Sequence, residues 1–481
     1  MTDSTNHTAA ARVERDSMGD MSVPADAHYG ASTARAVENF PISSLRLQRR
    51  FIAALGMVKH AAAQVNFDLK LLDESLHKPI AKAAKEVIDG VLDAHFVVDV
   101  FQTGSGTSTN MNANEVIASR ANEILTGTRG GRSPVHPNDH VNLQQSSNDV
   151  IPTAMQIAAG LAIRDELLPA LRILERELKA KERAFADVVK IGRTHLQDAT
   201  PVTLGQSFGG FVRQVHKSID RAQRAIIALS ELPIGGTAVG TGINSHPAFA
   251  DLVAKQLRHR TGITFIETPN HFEAQGARDG IVEAHGQLRT IALSLAKIAN
   301  DVRWLGSGPR CGLGEISLPA TQPGSSIMPG KVNPVMSEML LQVTAKVIGN
   351  DATIAYAASP TGSTFELNVM MPVMAFALIE SIELLSRGAL IFADRCVKGI
   401  EANRERCAEL VEQSLAMCTA LAPIVGYDRA AEVAKKAHAS GKSVREVARE
   451  MKLTDDATLE KALDPMRMTK PDAEVVGSGG G

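Results

Sequence analysis

Between residues 155 and 392, five long stretches carry apolar residues at the three-and-four spacing of an α-helix. In the first, residues 155–185, Ile157, Leu161, Leu168, Leu171, Leu174 and Leu178 alternate with Arg164, Asp165, Arg172, Glu175, Arg176 and Lys179, and Pro169 predicts a kink. The others cover residues 204–229, 280–305, 335–356 and 367–392, parted by loops that hold Gly and Pro. Helices this long predict an extended bundle whose wide apolar faces one chain does not cover, and hence self-association. The flanks differ: before about residue 145 the helical stretches are shorter and broken by Gly- and Ser-rich loops, and after residue 399 they are short again, as at 429–439.

These patterns predict an all-α, mainly helical chain with an N-terminal domain at 1–145, a central long-helix domain at 146–399, a small helical domain at 400–475 and a flexible tail, VGSGGG, at 476–481. With 481 residues, 44% of them apolar and 22% charged, there is ample side-chain surface to bury. No internal repeat interrupts this scheme.

Charge and composition exclude several classes of function. Lys and Arg number 51 against 53 Asp and Glu, a formal net charge of 51 − 53 = −2, so no positive field would hold a phosphate backbone. Aromatic residues at 4% leave few platforms for stacked bases, and nucleic acid is excluded as a partner. Residues 1–19 mix Asp3, Glu14 and Asp16 with Arg12 and Arg15, which fits neither a signal peptide nor a transit peptide and predicts a cytoplasmic protein with a frayed start. The longest apolar run, residues 369–379, is too short to span a bilayer and contains Pro372, so it reads as a buried helix and no membrane span is predicted. Cys311, Cys396, Cys407 and Cys418 form no CxxC pair. The last three lie eleven residues apart, about 16 Å of rise per interval on a helix, too far to share one cluster, and read as small buried side chains on one helix face.

Four polar segments interrupt the helical pattern. Residues 102–114, QTGSGTSTNMNAN, pair flexible Gly104 and Gly106 with many hydroxyls ahead of a helix at 112–122; they suit either an anion cradle or a capping loop. Residues 135–149, VHPNDHVNLQQSSND, place Ser146, Ser147 and Asn148 before the first long helix. His136 and His140 have the spacing of a metal pair, but Pro137 breaks the geometry and favours an anion site or helix start. Residues 190–206 set His195 among Arg193, Thr194 and Gln197 in a polar loop, where a histidine titrating in a cleft is expected and Pro201 ends the local order. Residues 324–334, GSSIMPGKVNP, present Ser325, Ser326, Lys331 and Asn333 on a loop able to act as a lid, or on an ordinary surface loop.

The last segment resembles the signature loop of the fumarase and aspartase superfamily, and the other three match that family's further regions in order. The resemblance extends over nearly the whole chain, through LPIGGTAVGTGIN at 232–244, FELN at 365–368 and GYD at 426–428. Gly330, the hydroxyls of QTGSGT, Ser147, Gly235 and Gly236 resemble the class II fumarase forms, whereas STNMNANEVIA and His140 resemble aspartases.

The resemblance implies a three-domain helical fold with a long central five-helix bundle. It also implies a homotetramer whose active sites are shared between subunits, reversible hydration of fumarate to L-malate as in the citric acid cycle, and no metal or organic cofactor. By the same resemblance Ser325, His195, Lys331, Asn333 and Glu338 are catalytic, and Ser105, Gly106, Thr107, Ser146, Ser147, Asn148, Thr194, Ser326 and Val332 bind the small dicarboxylate. The carbon base is Ser325, or else His195 with Glu338. A second dicarboxylate site is implied at His136, Pro137, Asn138 and Asp139, but the Arg expected three residues before the histidine is Ser133, with Arg132 one position earlier. Deamination of aspartate is the nearest rival activity, and a non-catalytic helical scaffold a rival of another kind.

Overall fold

The computed structural model describes residues 10–473 and is mainly helical; its sheets, among the described residues, are all two-stranded. Contacts group the chain into two compact units. One gathers Met1–Pro169, Asp220–Ala292 and Ala345–Ser386, the other Ala170–Ile219, Leu293–Thr344 and Arg387–Gly481.

The first unit opens with an antiparallel hairpin, Ala11–Asp16 against Gly19–Pro24. Part of the segment expected to fray is therefore a paired hairpin. Arg12 explains it: its guanidinium donates to the carbonyls of Ala27 (2.6 Å) and Tyr29 (2.8 Å) and to Glu14 Oε1 (2.6 Å). Residues 1–9 and the predicted tail at 476–481 lie outside the described residues.

Helix Arg49–Asp68 packs against Glu74–Asp89, Ser147–Ala162 and Phe249–Thr261 and buries Phe51, Leu55, Val58 and Val65. It and Thr107–Thr126 have 20 residues each, longer than the broken stretches expected before residue 145. Ala54, Ala61, Ala62 and Ala63 are buried around the first of these helices, and a helix covered on several sides shows no single apolar stripe to read.

All five long patterns are helical. The first runs as Ser147–Ala162 and Leu168–Ala184 joined by a π turn, Ile163–Leu167. That turn answers the kink expected at Pro169: a ring nitrogen there cannot donate, and the ladder shifts register just ahead of it. Leu204–Ala228, Asp279–Leu305 and Val335–Ala358 follow the remaining patterns closely. The fifth begins only at Met371, because Leu367–Asn368 pairs with Ser363–Thr364, and Pro372 then occupies the first helical turn, where a missing N–H costs nothing. No single described helix is long and apolar enough to cross a membrane.

In the second unit, helices Arg404–Gln413, Tyr427–Ser440, Val444–Glu450 and Asp456–Ala462 bury Val411, Val433, Val447 and Leu459 around one small core that also takes in Ile191. The cysteines depart from expectation here. Cys396 follows helix Met371–Arg395 in a turn, Cys407 lies on Arg404–Gln413, and Cys418 sits in the 3₁₀ segment Leu415–Leu421, so they do not share one helix face. Ser414, whose side chain accepts from Ala416 N, stops the helix between the last two. Burial pushes the Cys396 thiol up to about 12 and Cys407 to about 11, so both keep their protons at neutral pH.

Candidate active site

Two of the four polar segments meet within the first unit. Helix Thr107–Thr126 starts earlier than the sequence pattern suggested, directly after Gly106, so Thr107 stands at its first position. Ser105 Oγ lies 2.7 Å from Thr107 Oγ1, which lies 2.8 Å from Ser147 Oγ, a continuous row of three hydroxyls. Gly104 is required beside them, since a Cβ there would fall 1.7 Å from the Val369 carbonyl oxygen. Ser146 caps helix Ser147–Ala162 in a capping box with Asp149, and Asn148 Nδ2 donates to Ala238 O at 2.8 Å. Hydroxyl and amide donors from residues 105–107 and 146–148 are therefore held on two adjoining helix starts, a setting suited to a carboxylate.

What holds them was not visible in the sequence. Asp149 is fully buried and accepts from the backbone N–H groups of Ser146 (3.0 Å), Gly235 (3.0 Å) and Thr237 (2.9 Å), which ties residues 146–149 to the glycine-rich 232–244 stretch. Lys59, also fully buried, donates to Asn142 Oδ1 (2.8 Å) and Gln145 Oε1 (3.0 Å), while Asn110 Nδ2 reaches the same Asn142 oxygen at 3.2 Å. The lone signal for Lys59 is a charge inside the mainly apolar MVKHAAAQV.

Burial raises the Asp149 carboxyl to about 6 against its three N–H donors, and burial lowers the Lys59 ammonium to about 7 against the attraction of Asp149. Between about 7 and the ordinary value of 10.5 the unfolded chain holds a proton on Lys59 that the folded chain lacks, so stability rises with pH there. Lys59→Met should flatten that rise, as measured by urea melts at a series of alkaline pH values. An unaltered slope would mean that Lys59 is not the group responsible.

His136 forms a turn of its own with the second-site residues. Its Nδ1 accepts from the N–H groups of Asn138 (3.3 Å) and Asp139 (3.1 Å), and its own N–H donates to His140 Nδ1 at 2.9 Å. Both imidazoles thus bond to backbone within the Pro137–Val141 π turn, which leaves Asn138 and Asp139 exposed and Pro137 buried. Arg132 and Ser133 are exposed just before it.

The second unit carries the other two segments. His195 stands at the tip of a β-hairpin, Val189–Thr194 with Gln197–Thr203, where a polar loop and a cleft were expected. Thr194 and His195 are exposed on it. Pro201 lies inside the second strand, beside a register shift at Ile191 and Gly192, the bulged setting in which a strand accepts proline. His195 and Leu196 make the two-residue turn with φ of 58° and 62°, the left-handed pair that such hairpins usually give to Asn and Gly. The hairpin is anchored from within: buried Glu315 Oε2 receives Arg193 Nη1 at 2.8 Å and lies 3.3 Å from Lys190 Nζ. Because β-branched residues resist this backbone most, Leu196→Val should cost about 1 kcal/mol. A calorimetric melt that does not shift would refute the strain.

The 324–334 loop is closed on itself. Gly324 N donates to Lys331 O (2.8 Å) and Asn333 Nδ2 donates to Gly324 O (2.6 Å), and a Cβ on Gly324 would come within 2.5 Å of Lys331 O. Ser325 Oγ accepts from the N–H groups of Ile327 (3.2 Å) and Met328 (3.0 Å). Ser326, Lys331 and Val332 are exposed, and Ile327 is 84% exposed, an unusual position for isoleucine. Glu338, in the first turn of Val335–Ala358, makes no hydrogen bond or ion pair with His195 among the described residues. The single chain assembles the hydroxyl row and the Ser325 loop, and leaves the His195–Glu338 pair unmade.

Comparison with known proteins places this geometry in a class. Residues 19–349 match the Lyase family model and residues 417–470 the Fumarase C C-terminus model. Fumarate hydratase class II 2 of Bradyrhizobium diazoefficiens is 51% identical over 462 residues, 96% of this chain and 97% of that protein. Fumarate hydratase class II of Mesorhizobium japonicum is 50% identical over 96% of this chain and 99% of its own length. The crystal structure of recombinant class II fumarase from Schistosoma mansoni superposes with a TM-score of 0.93 at 40% identity, covering 96% of this chain and 99% of that one. The fold and these matches define a lyase of the fumarase type. More particularly, the chain belongs to the class II fumarate hydratase family.

Proposed function

We propose that the four polar segments form one active site, built from different copies of this chain in a homotetramer, that hydrates fumarate to L-malate and catalyses the reverse reaction. Membership of the class II fumarate hydratases makes the chain a hydro-lyase. The observation that carries the assignment of residues is the Ser325 loop, in which two backbone N–H groups aim at one serine oxygen.

In the dehydration direction a barely acidic proton must leave C3 of malate. Ser325 Oγ is the base: charge on that oxygen is stabilised by the Ile327 and Met328 amides and by the ammonium of Lys331, six residues on in the same closed loop. The electron pair left on C3 delocalises into the adjacent carboxylate, whose aci form is met by Lys331 and Asn333. Hydroxide then departs from C2 and takes a proton from His195, with Glu338 of another copy orienting the imidazole. Ser105, Thr107, Ser146, Ser147, Asn148, Thr194 and Ser326, with the backbone of Gly106 and Val332, hold the two carboxylates through neutral donors, which binds a dianion without burying many fixed charges.

The three segments 1–145, 146–399 and 400–475 are proposed as its domains, the cytoplasm as its location, and the turn at His136, Pro137, Asn138 and Asp139, of which Asn138 and Asp139 are exposed, as a second dicarboxylate site. Exposed Ile327, Met328 and Val332 support the shared assembly, since a neighbouring copy would cover them. His195→Asn should lower kcat by roughly 10²- to 10⁴-fold and remove one limb of the profile of rate against pH. An unchanged profile would take proton transfer away from His195.

A further inference from the structure

A cavity of about 480 Å³ lies within the first unit, and none of the four polar segments contributes to its walls. Arg278 forms part of it. This side chain is only 4% exposed and its Nε and Nη2 are buried without a hydrogen-bond partner. Burial lowers its pKa to about 10, with Glu273 and Asp279 opposing, so the guanidinium remains charged at neutral pH. Its backbone carbonyl accepts from Ile281 N (3.0 Å) and Val282 N (3.1 Å), which places Arg278 immediately before helix Asp279–Leu305.

A buried guanidinium with unpaired N–H groups is costly unless an acceptor reaches it. The walls also carry Glu231, Glu273, Asp279 and Glu283, all exposed, against a single further cation, Arg224. Four carboxylates disfavour a dicarboxylate, and a simple amine, though drawn to those carboxylates, leaves the Arg278 N–H groups without an acceptor. A molecule with one carboxylate and one ammonium satisfies both, and the volume suits a small ligand with an aliphatic portion against Ile227 and Ile281.

We propose that this cavity is a binding site for a free α-amino acid, its carboxylate on Arg278 and its ammonium among the surrounding carboxylates. Calorimetric titration of the full-length protein with L-alanine, propionate and ethylamine tests it. L-alanine should bind at least tenfold more tightly than either of the other two, and saturating L-malate should leave the L-alanine titration unchanged because the cavity is separate from the polar segments. Arg278→Met should weaken binding at least tenfold. The double variant Glu231→Gln/Glu283→Gln changes only exposed side chains; it should weaken binding as well and decides the matter if Arg278→Met fails to fold. Propionate binding as well as L-alanine, L-alanine binding undiminished in the variants, competition by malate, or no heat from any probe would each overturn the proposal.

Discussion

Ser325→Ala should slow the interconversion of fumarate and L-malate by roughly 10³-fold while leaving the melting temperature within about a degree of the parent. The rate effect follows from the role of the oxygen: with Oγ gone, the Ile327 and Met328 N–H groups face an empty position and the oxygen they polarise is no longer there to take the proton. The small effect on folding follows from exposure, because both amides can turn to water. Loop closure itself rests on Gly324, Lys331 and Asn333, which the substitution leaves alone. Absorbance of the fumarate double bond gives the rate directly. A variant that turns over malate nearly as fast as the parent would remove Ser325 from the mechanism and return the base to His195.

The second large effect falls on a residue that touches no substrate. Asp149→Ala should destabilise the protein by about 3–5 kcal/mol, measured by denaturant melts at neutral pH. Three backbone N–H groups, those of Ser146, Gly235 and Thr237, would lose a fully buried acceptor at once, and the neighbouring Lys59 would lose the one charge that favours its protonation. The sign of the pH dependence is distinctive. With its carboxyl raised to about 6, folded Asp149 holds a proton more tightly than the unfolded chain does; this contribution is complete below the ordinary value of 3.8 and is lost as pH rises through 6. The variant should lack that decline. A loss below 1 kcal/mol would mean that the three N–H groups find other acceptors, and that Asp149 does not hold the hydroxyl row in place.

Much of this architecture was legible because long amphipathic helices announce themselves by period. The stretches at 204–229, 280–305 and 335–356 lie within a few residues of the helices found. What escaped was decided by contacts distant in sequence. Arg12 orders the start by reaching the carbonyls of Ala27 and Tyr29, and no local composition encodes that. The Val189–Gln197 region read as a polar loop because His195 and Leu196 are poor turn residues by type; Glu315, more than a hundred positions away, fastens the strands regardless. In the candidate site, the motif-bearing residues 105–107, 146–148 and 324–333 were all singled out in advance, since polar clusters between apolar helices stand out. Lys59 and Asp149 did not stand out as supports, because a buried charge is recognised only once its partners are known.

His195 and Ser325 are proposed to act in one site while belonging to different copies of the chain. Within one chain no hydrogen bond joins His195 to the 324–334 loop or to Glu338 among the described residues. The direct test is complementation: unfold His195→Asn and Ser325→Ala together, refold the mixture, and follow fumarate absorbance. Mixed assemblies should recover activity far above either variant refolded alone, with the gain greatest near equal proportions, because some sites then draw a native His195 from one copy and a native Ser325 from another. Activity that stays at the level of the separate variants at every ratio, in assemblies shown to be mixed, would contradict a site shared between subunits.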